Sequence, residues 1–492
     1  MQTHPSHARA TKRCFLLTLP VAMIAGCTVG PQYSKPEIVI PETFREAPPP
    51  VDPASFADLP WWSVFNDPAL QKLVTQALAN NYDIQVAVAR IDKARAAVGV
   101  AQSEGKPQVG YEANAQGAKD VIAQKRSASS LTYGSFSGLI NAAWELDVWG
   151  RIRRSTEAAR ANLLAQEDVR RGVILTLVSD LAASYFRLIE LDREFAIAED
   201  SARAYKSTLD LFTLRFNAGR DSLLPVERAQ AAYDSSGADI QDIRRQIAQQ
   251  ENAISILIGA FPQSIERGHS LDQQATPQTP LGSTTALLQR RPDILQSEQD
   301  MMSANAEIGV AVADYFPKIG LSTFLGGEGL AVTNSVQTFG VWNLALSAAG
   351  PIYSGGRLES VYRERQAFWD ETVAQYKQKV LIAFQETSDA LVAQKTLTDR
   401  RTALTSQVQA LQHSVDLALQ RYDNGRASYF EVLEAEQQLF PAQDELARNV
   451  RDELIAVVNL YKALGGGWNA GDEPSPPETK PLQAQTEPET GG

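Results

Sequence analysis

The sequence predicts a mostly helical protein with a transmembrane β part, formed from two tandem structural repeats. Two blocks of sequence recur after about 206 to 210 residues, as expected for repeated units. Two long runs nearly free of glycine and proline favour coiled-coil helices, and the segments between them alternate apolar and polar residues. Together these patterns indicate helices that form a tube and strands that contribute to a barrel wall.

The repeat is clearest at two turns and in one longer motif. "RFNAGRDSLLPVERAQ" starts at Arg215 and "RYDNGRASYFEVLEAEQ" starts at Arg421. "NNYDIQVAVARIDKARAAVGVAQSEGKPQVG" likewise matches "RRPDILQSEQDMMSANAEIGVAVADYFPKIG". The first copy has about four more residues between roughly 110 and 150, which we expect to lie in a loop.

The first 26 residues are predicted to be a lipoprotein signal peptide. A basic start precedes the apolar stretch "CFLLTLPVAMIA", which is too short to span a bilayer. It ends in "IAGC", which resembles the lipobox of bacterial lipoproteins, so Cys27 is the predicted lipidation site. An ordinary signal peptide with an incidental cysteine is the alternative. Thr28 follows instead of the aspartate of retained lipoproteins, which points to the outer membrane of a Gram-negative bacterium.

Helices are expected after a Pro-rich extended segment that ends near residue 60. Asp67 and Pro68 are predicted to be the N-cap and the first residue of the first helix. From Arg151 to Ala218 there is no proline, and from Leu358 to Asn424 there is neither proline nor glycine. At 1.5 Å per residue these runs would give helices of about 100 Å, a length typical of coiled coils and helical tubes.

Each repeat also contains two strand-like segments. "PQVGYEANAQG" and "GLINAAWELDVW" lie in the first copy, and "PKIGLSTFLGG" and "TFGVWNLALSAAGPIY" lie in the second. Their alternation of apolar and polar residues fits the wall of a transmembrane barrel. Trp144, Trp149 and Trp342 are predicted to lie at the membrane interface, where barrel proteins place aromatic residues.

The number of strands predicts an oligomer. Four strands cannot close a barrel, and an open sheet edge in lipid would leave backbone groups unpaired. Two chains would supply about eight strands and three chains about twelve, and an eight-stranded barrel is filled by its own side chains. A homotrimer with a channel is therefore predicted. A soluble two-sheet domain on a coiled coil is the alternative.

The chain resembles the TolC-like outer-membrane efflux proteins, in the lipoprotein branch typified by OprM, over nearly the whole of its mature length. The most specific motifs are "WWSVFNDPAL", "LLQRRPDILQSEQDMMSANAEIGVAVADYFPKIGL" and "RYDNGRASYFEVLEAEQQLF". The resemblance implies a homotrimer whose 12-stranded β-barrel in the outer membrane continues into a periplasmic α-barrel. It also implies a periplasmic adaptor protein and an inner-membrane transporter, expected to be proton-driven, as partners in a tripartite pump.

The resemblance also assigns a role to the two "RxxxGR" turns. Each is expected to close a helical hairpin at the periplasmic end of the tunnel, with a left-handed glycine at the helix end. The adaptor would bind the tip residues Ala218, Gly219, Arg220, Asn424, Gly425 and Arg426. Plain helix-ending turns without a partner are the alternative.

A pore constriction is implied just beyond the second tip, at Tyr422, Glu431 and Glu434. The two glutamates are three residues apart and share a helix face, so three-fold symmetry would give two rings of carboxylates. The sequence departs from the family pattern where Ala427 replaces an arginine and Pro225 an acidic residue. We therefore expect a different hydrogen-bond network around the constriction. Solvated surface glutamates are the alternative.

These assignments predict the organisation of the chain. Its segments are a signal peptide (1–26), an extended lipidated segment (27–60), a first repeat (61–260), an equatorial linker (261–285), a second repeat (286–466) and an equatorial, disordered tail (467–492). Within the repeats, the strands are expected near 107–150 and 317–356, and the hairpin tips near 215–225 and 421–431.

No catalytic or metal site is predicted. Only His269 and His413 remain after signal removal, without metal-ligand spacing, and no glycine-rich phosphate loop precedes a lysine. The net charge of −12 argues against nucleic acid as a partner. The predicted function is a passive exit duct of a tripartite efflux pump, with no cofactor beyond the lipid on Cys27. A duct for protein secretion and a non-conducting periplasmic scaffold lipoprotein are the alternatives.

Overall fold

The computed structural model describes residues 28–45, 66–124, 127–274, 284–332 and 335–466. The predicted signal peptide, the lipidation site Cys27 and the predicted tail 467–492 lie outside the described residues. So does the part of the predicted equatorial linker from 275 to 283.

The chain divides into two compact units. The first consists of the described residues within Met1–Ile38, Val86–Arg170 and Asp293–Lys379. The second consists of those within Val39–Gln85, Arg171–Pro292 and Val380–Gly492. Each unit therefore contains parts of both sequence repeats.

Helices and strands follow the same order in the two repeats. The first repeat comprises α1 (Pro68–Asn80), α2 (Tyr82–Ser103), β1 (Gln108–Gln124), β2 (Ser127–Leu146), α3 (Arg151–Asn217) and α4 (Leu223–Leu257). After a 3₁₀ turn, the second comprises α5 (Thr284–Arg290), α6 (Pro292–Ala313), β3 (Lys318–Val332), β4 (Ser335–Ala349), α7 (Arg357–Asp423) and α8 (Tyr429–Ala463).

The lengths of the helices agree between the repeats. α3 and α7 have 67 residues each, α4 and α8 have 35 each, and α2 and α6 have 22 each. The two predicted tandem repeats are therefore confirmed. The expected loop position of the extra residues is wrong, because β1 and β2 have 17 and 20 residues where β3 and β4 have 15 each. The added residues continue the ladder of backbone hydrogen bonds, which keeps their polar groups paired.

The four strands form one antiparallel sheet in the order β1–β2–β3–β4. Its register brings apolar residues side by side on one face, since Tyr111 pairs with Ile140, Ile140 with Leu325 and Leu325 with Trp342. All four side chains are exposed within the chain. Because side chains alternate along a strand, the opposite face carries the intervening residues, many of them polar. The predicted contribution of four strands to a barrel wall is confirmed.

The three predicted interface tryptophans differ in their surroundings. Trp342 on β4 is exposed, and Trp144 on β2 donates its indole N–H to the carbonyl of Gly105 (2.9 Å). Trp149 lies beyond the end of β2, where its ring stacks on Phe316 with centroids 4.7 Å apart. Their position at a membrane interface stays a prediction.

The extended residues 28–38 belong to the first unit and are held there by backbone contacts with other parts of that unit. Val29 donates its backbone N–H to the carbonyl of Trp149 (3.1 Å). Gly30 has φ +95°, and a Cβ at this position would lie 2.6 Å from the Cα of Gly309. The segment that follows the predicted lipidation site is thus held by close backbone approach, and glycine at position 30 is required for it.

The core of the second unit is formed by α1, α3, α4 and α8. Its fully buried side chains include Leu70 of α1, Tyr185 and Phe186 of α3, Ile254 of α4 and Leu454 of α8. Burial of each large apolar side chain stabilises the fold by about 1.5–3 kcal/mol relative to its exposed state. This core packs the middle of α3 against the parts of α4 and α8 that lie farthest from the hairpin turns.

Asp67 joins the start of α1 to this core. As predicted, it caps α1, because its Oδ1 accepts hydrogen bonds from the backbone N–H groups of Ala69 (2.9 Å) and Leu70 (3.2 Å). Its Oδ2 accepts three more, from Tyr185 Oη (3.0 Å), His269 N (3.0 Å) and Gln274 Nε2 (2.8 Å). One fully buried carboxylate therefore connects three separate parts of the second unit.

Candidate functional site

Both helical hairpins of the second unit end in the same backbone turn. In each turn the glycine has φ +71°, a left-handed conformation that ends the helix. The N–H of the arginine after the glycine donates to the carbonyl of the arginine that opens the motif, from Arg220 to Arg215 (2.9 Å) and from Arg426 to Arg421 (2.8 Å). The predicted left-handed glycines are confirmed.

The glycines are required at the turns by backbone conformation alone. A Cβ at Gly219 or Gly425 would meet no atom within 4 Å, so only the positive φ disfavours other residues. All the predicted adaptor-binding residues are exposed: Ala218, Gly219, Arg220, Asn424, Gly425 and Arg426. Exposed apolar side chains flank them: Leu214, Leu223, Leu224 and Phe430. This mixture of apolar and basic groups suits a protein partner.

Tyr422, in the last turn of α7, connects the two hairpins. Its hydroxyl accepts a hydrogen bond from Arg215 Nη1 of α3 (2.8 Å). Its ring meets the ring of Tyr429 edge to face, with centroids 4.9 Å apart at 84°. Tyr429 in turn packs edge to face on Phe212 of α3, at 5.2 Å and 87°. An aromatic stack with a polar contact beside it thus joins the tips.

The two predicted gate glutamates lie in the first turns of α8 and differ in exposure. Glu431 is half-buried and pairs with Arg421 of its own hairpin (3.4 Å), whereas Glu434 is exposed. An ion pair on such a partly exposed site contributes little to stability, about 0–1 kcal/mol. Both carboxylates therefore stay available to solvent, and the charge of Glu431 is partly offset by its arginine.

A cleft of about 740 Å³ lies in the first unit, and a second cleft lies between the hairpin tips. Of the three predicted gate residues, Tyr422 lines the tip cleft, whereas Glu431 and Glu434 are not among its lining residues. This tip cleft has a volume of about 680 Å³. Aromatic rings and both signs of charge line it, including Phe212, Arg215, Asp221, Arg228, Tyr422, Asp423 and Tyr429. The structure thus brings Tyr422 of the predicted site together with residues that the sequence did not assign to it.

Two residues that were not predicted as part of the site, Arg215 and Glu436, had a signal in the sequence. Arg215 is the repeat equivalent of Arg421, and both stand in the last turn of a 67-residue helix. Glu436 lies on the apolar stripe of α8, one turn after the buried Val432, and is itself buried. A charged residue on an apolar stripe predicts a buried charge, although its neighbours depend on how the helices pack.

Comparison with known families gives a match over most of the chain. The family model described as "Outer membrane efflux protein" matches residues 73–260 and 284–466. The cation efflux system protein CusC of Escherichia coli (strain K12) is 30% identical over 461 residues, covering 92% of this chain and 99% of its own length. The toluene efflux pump outer membrane protein TtgC of Pseudomonas putida is 31% identical over 479 residues, covering 93% and 96%.

Solved structures share the fold. The outer-membrane channel OprN superposes with a TM-score of 0.80 at 29% identity, covering 90% of this chain and 100% of its own. The MtrE outer membrane channel of Neisseria gonorrhoeae, solved in its open state, gives a TM-score of 0.77 at 27% identity, covering 90% and 98%.

Proposed function

This chain belongs to the outer membrane efflux protein family, and we propose that three copies of it form the passive exit duct of a tripartite efflux pump. It is an outer-membrane efflux channel that extends into the periplasm. The four-stranded sheet would form one third of the membrane barrel. The helical hairpins would form the periplasmic tunnel, and the lipid on Cys27 would add an anchor.

The observation that carries this proposal is the open sheet with one exposed apolar face. β1 and β4 are its two edges, and within the chain each pairs on one side only. In lipid an unpaired edge costs several kcal/mol for each backbone group, so the edges must pair with other strands. Pairing β4 of one copy with β1 of the next would satisfy both edges and continue the apolar face around a ring.

Three copies fit better than two. Two copies would give eight strands, and a barrel of that size is filled by its own side chains. Three copies would give twelve strands and leave a channel. The exposed hairpin turns would then form a ring of six tips, which we propose as the surface that binds a periplasmic adaptor. An inner-membrane transporter would supply the driving energy.

The exported substrates depend on those partners. Relatives of nearly equal identity are named for the efflux of cations and of toluene, so overall similarity does not select a cargo. We propose small molecules as the substrate class. A protein-secretion duct would need the same barrel, whereas a non-conducting scaffold would not.

The test is the conductance of the purified protein in planar bilayers, with its oligomeric mass measured in the same preparation. A trimer that inserts and gives small, mostly closed channels supports the duct. A well-folded protein of another mass that never conducts, over a range of voltage and pH, and that lacks heat-resistant strand structure contradicts it.

Replacing both gate glutamates should change how divalent cations affect the channel. The double variant Glu431→Gln with Glu434→Gln removes the carboxylates that would bind the cation. We therefore expect the Mg²⁺ concentration that blocks the current to rise by about tenfold or more, which corresponds to a loss of ~1.4 kcal/mol of binding free energy. Single-channel records at increasing Mg²⁺ measure this. Glu445→Gln, an exposed glutamate farther along α8 that pairs with Arg400 (2.5 Å), is the matched control. Equal block in the parent and the double variant would remove both glutamates from the gate.

A further inference from the structure

The two hairpin tips share a backbone turn but differ in their side-chain contacts. At the first tip, Arg215 Nε pairs with Asp221 Oδ2 (2.7 Å), and its Nη1 donates to the hydroxyl of Tyr422 on the other hairpin (2.8 Å). At the second tip, the equivalent Arg421 pairs with Glu431 of its own hairpin (3.4 Å). Of the two arginines, Arg215 is therefore the one whose described contacts cross between hairpins.

This asymmetry has a cause in the sequence. Phe216 occupies the first-repeat position of Tyr422, and a phenylalanine ring offers no hydroxyl to an arginine. Pro225 occupies the position of Glu431, so the first tip has no carboxylate there. Asp221, whose second-repeat equivalent is Ala427, supplies the carboxylate for Arg215 instead. The repeat thus keeps both arginines but gives only one of them an acceptor on the neighbouring hairpin.

The acceptor is held in place by packing. Tyr422 packs edge to face on Tyr429, and Tyr429 packs on Phe212 of the first hairpin. The hydroxyl of Tyr429 is also within hydrogen-bond reach of Thr208 Oγ1 on α3, and both residues are buried. The ring of Tyr422 therefore has a fixed support, whereas its hydroxyl depends on Arg215.

We infer that Arg215 is a positioning residue of the gate: oriented by Asp221, it fastens Tyr422 to the first hairpin and must release it before the two hairpins of one chain can separate. This inference rests on the proposed duct function and names a residue that controls its opening. Other contacts also join the hairpins, since Tyr429 contacts Thr208 and Phe212, and Arg228 lies over the ring of Phe430. Arg215 differs from them because it is the arginine that holds the hydroxyl of the gate residue Tyr422.

The expected effect follows from the number of copies. Because the side chain of Arg215 is partly exposed, the bond is expected to have the net strength of an ordinary intramolecular hydrogen bond, which changes an equilibrium by about fivefold. Three such bonds in a symmetric trimer act on the same closed-to-open equilibrium, which gives about 100-fold when all three are lost. The link is therefore strong enough to hold a duct closed and weak enough for a partner that binds the tips to overcome it.

The test compares single-channel open probability among the parent, Arg215→Ala, Tyr422→Phe and the double variant. We expect each single variant to raise the open probability by between about fivefold and about 100-fold. The double variant should open no more than the single variants, because both remove the same bond. Additive effects, or an open probability equal to that of the parent, overturn the inference. Heat-resistant trimer in the same samples shows that each variant is folded.

Two further variants test whether the effect is specific to the bond between Arg215 and Tyr422 and not a general effect of removing charge. Arg203→Ala removes an exposed arginine of the same helix that pairs only with Asp200 in the described structure, and it should leave the open probability unchanged. Asp221→Asn should give an intermediate rise, because Arg215 keeps its acceptor but loses its orienting carboxylate. A parent trimer that never conducts contradicts the proposed function, whereas a conducting parent with unchanged Arg215→Ala contradicts only the role of Arg215.

Discussion

Asp67→Ala is expected to lower the free energy of unfolding by about 4 kcal/mol, which is among the largest effects of a single substitution. The carboxylate of Asp67 is fully buried and accepts five hydrogen bonds. Removing it leaves five donors without their acceptor, and each unsatisfied buried group costs about 1–3 kcal/mol before any relaxation. The measurement is unfolding of the detergent-purified protein followed by far-UV circular dichroism.

A matched control for this prediction lies on the same helix. Lys72 of α1 pairs with Glu266 (2.7 Å), and both side chains are exposed. Lys72→Ala should therefore change the free energy of unfolding by no more than about 1 kcal/mol. If Asp67→Ala behaved like Lys72→Ala, the carboxylate would not be the connection between α1, α3 and the loop that contains His269.

The same residue predicts the direction of a pH effect. Burial by itself would raise the pKa of Asp67, but the hydrogen bonds from Gln274, Leu70, His269 and Tyr185 outweigh it and lower the pKa below its usual value. Since the folded pKa lies below the unfolded one, the stabilisation is present above about pH 4 and is lost as pH falls through the folded pKa. Asp67→Asn should remove this part of the acid dependence.

Asp67 also shows what a sequence can predict and where its information ends. The dipeptide Asp67–Pro68 predicts an N-cap, because capping depends on neighbouring residues only, and the prediction is confirmed by the bonds from Ala69 and Leu70. The partners on Oδ2 are 118 to 207 residues away in the chain. Such contacts depend on how α1, α3 and the loop after α4 pack together, which no local sequence pattern encodes.

The hairpin tips follow the same rule. The left-handed glycines are local features, so the repeated motif predicts them correctly at both turns. The contact from Arg215 to Tyr422 joins residues 207 positions apart and depends on the packing of α3 against α7. The sequence departures at Ala427 and Pro225 indicate that the network differs from the family pattern. They do not identify Arg215 as the donor.

Glu436→Gln is expected to stabilise the protein at neutral and alkaline pH. Glu436 lies on α8 with 7% of its surface exposed, and its Oε2 has no hydrogen-bond partner among the described residues. Burial raises the pKa of Glu436 to about 7 from its usual 4.5. The carboxylate of Glu436 contributes to the raised pKa of two nearby hydroxyls, those of Tyr205 on α3 and Tyr429 on α8. Neither neighbour is a cation. The ionised carboxylate therefore has no counter-charge among these neighbours.

The sign of the pH dependence follows from this raised pKa. The folded protein holds the proton of Glu436 more tightly than the unfolded chain does, so the side chain has no electrostatic cost below about pH 4.5. The cost grows as pH rises from about 4.5 to about 7. Above pH 7 it is about 3 kcal/mol, because each unit of pKa difference corresponds to about 1.36 kcal/mol. Glutamine removes the ionisation, so the variant should exceed the parent by up to about 3 kcal/mol at about pH 8 and match it at about pH 4.5.

Unfolding curves of the parent and Glu436→Gln across this pH range test the prediction. A half-buried acid on the same helix, Asp444, has its pKa raised to about 6 by burial and by Glu194, which Arg448 partly offsets. Asp444→Asn is therefore the comparison variant. The difference in its free energy of unfolding from the parent should reach its full size about one pH unit below the pH at which the Glu436→Gln difference does. If the difference for Glu436→Gln did not vary with pH, its carboxyl would be solvated or paired in the trimer. A difference that appears between about pH 4.5 and 7 would instead mean that protonation of Glu436 stabilises the folded state, in which α8 packs against α3, when the periplasm becomes acidic.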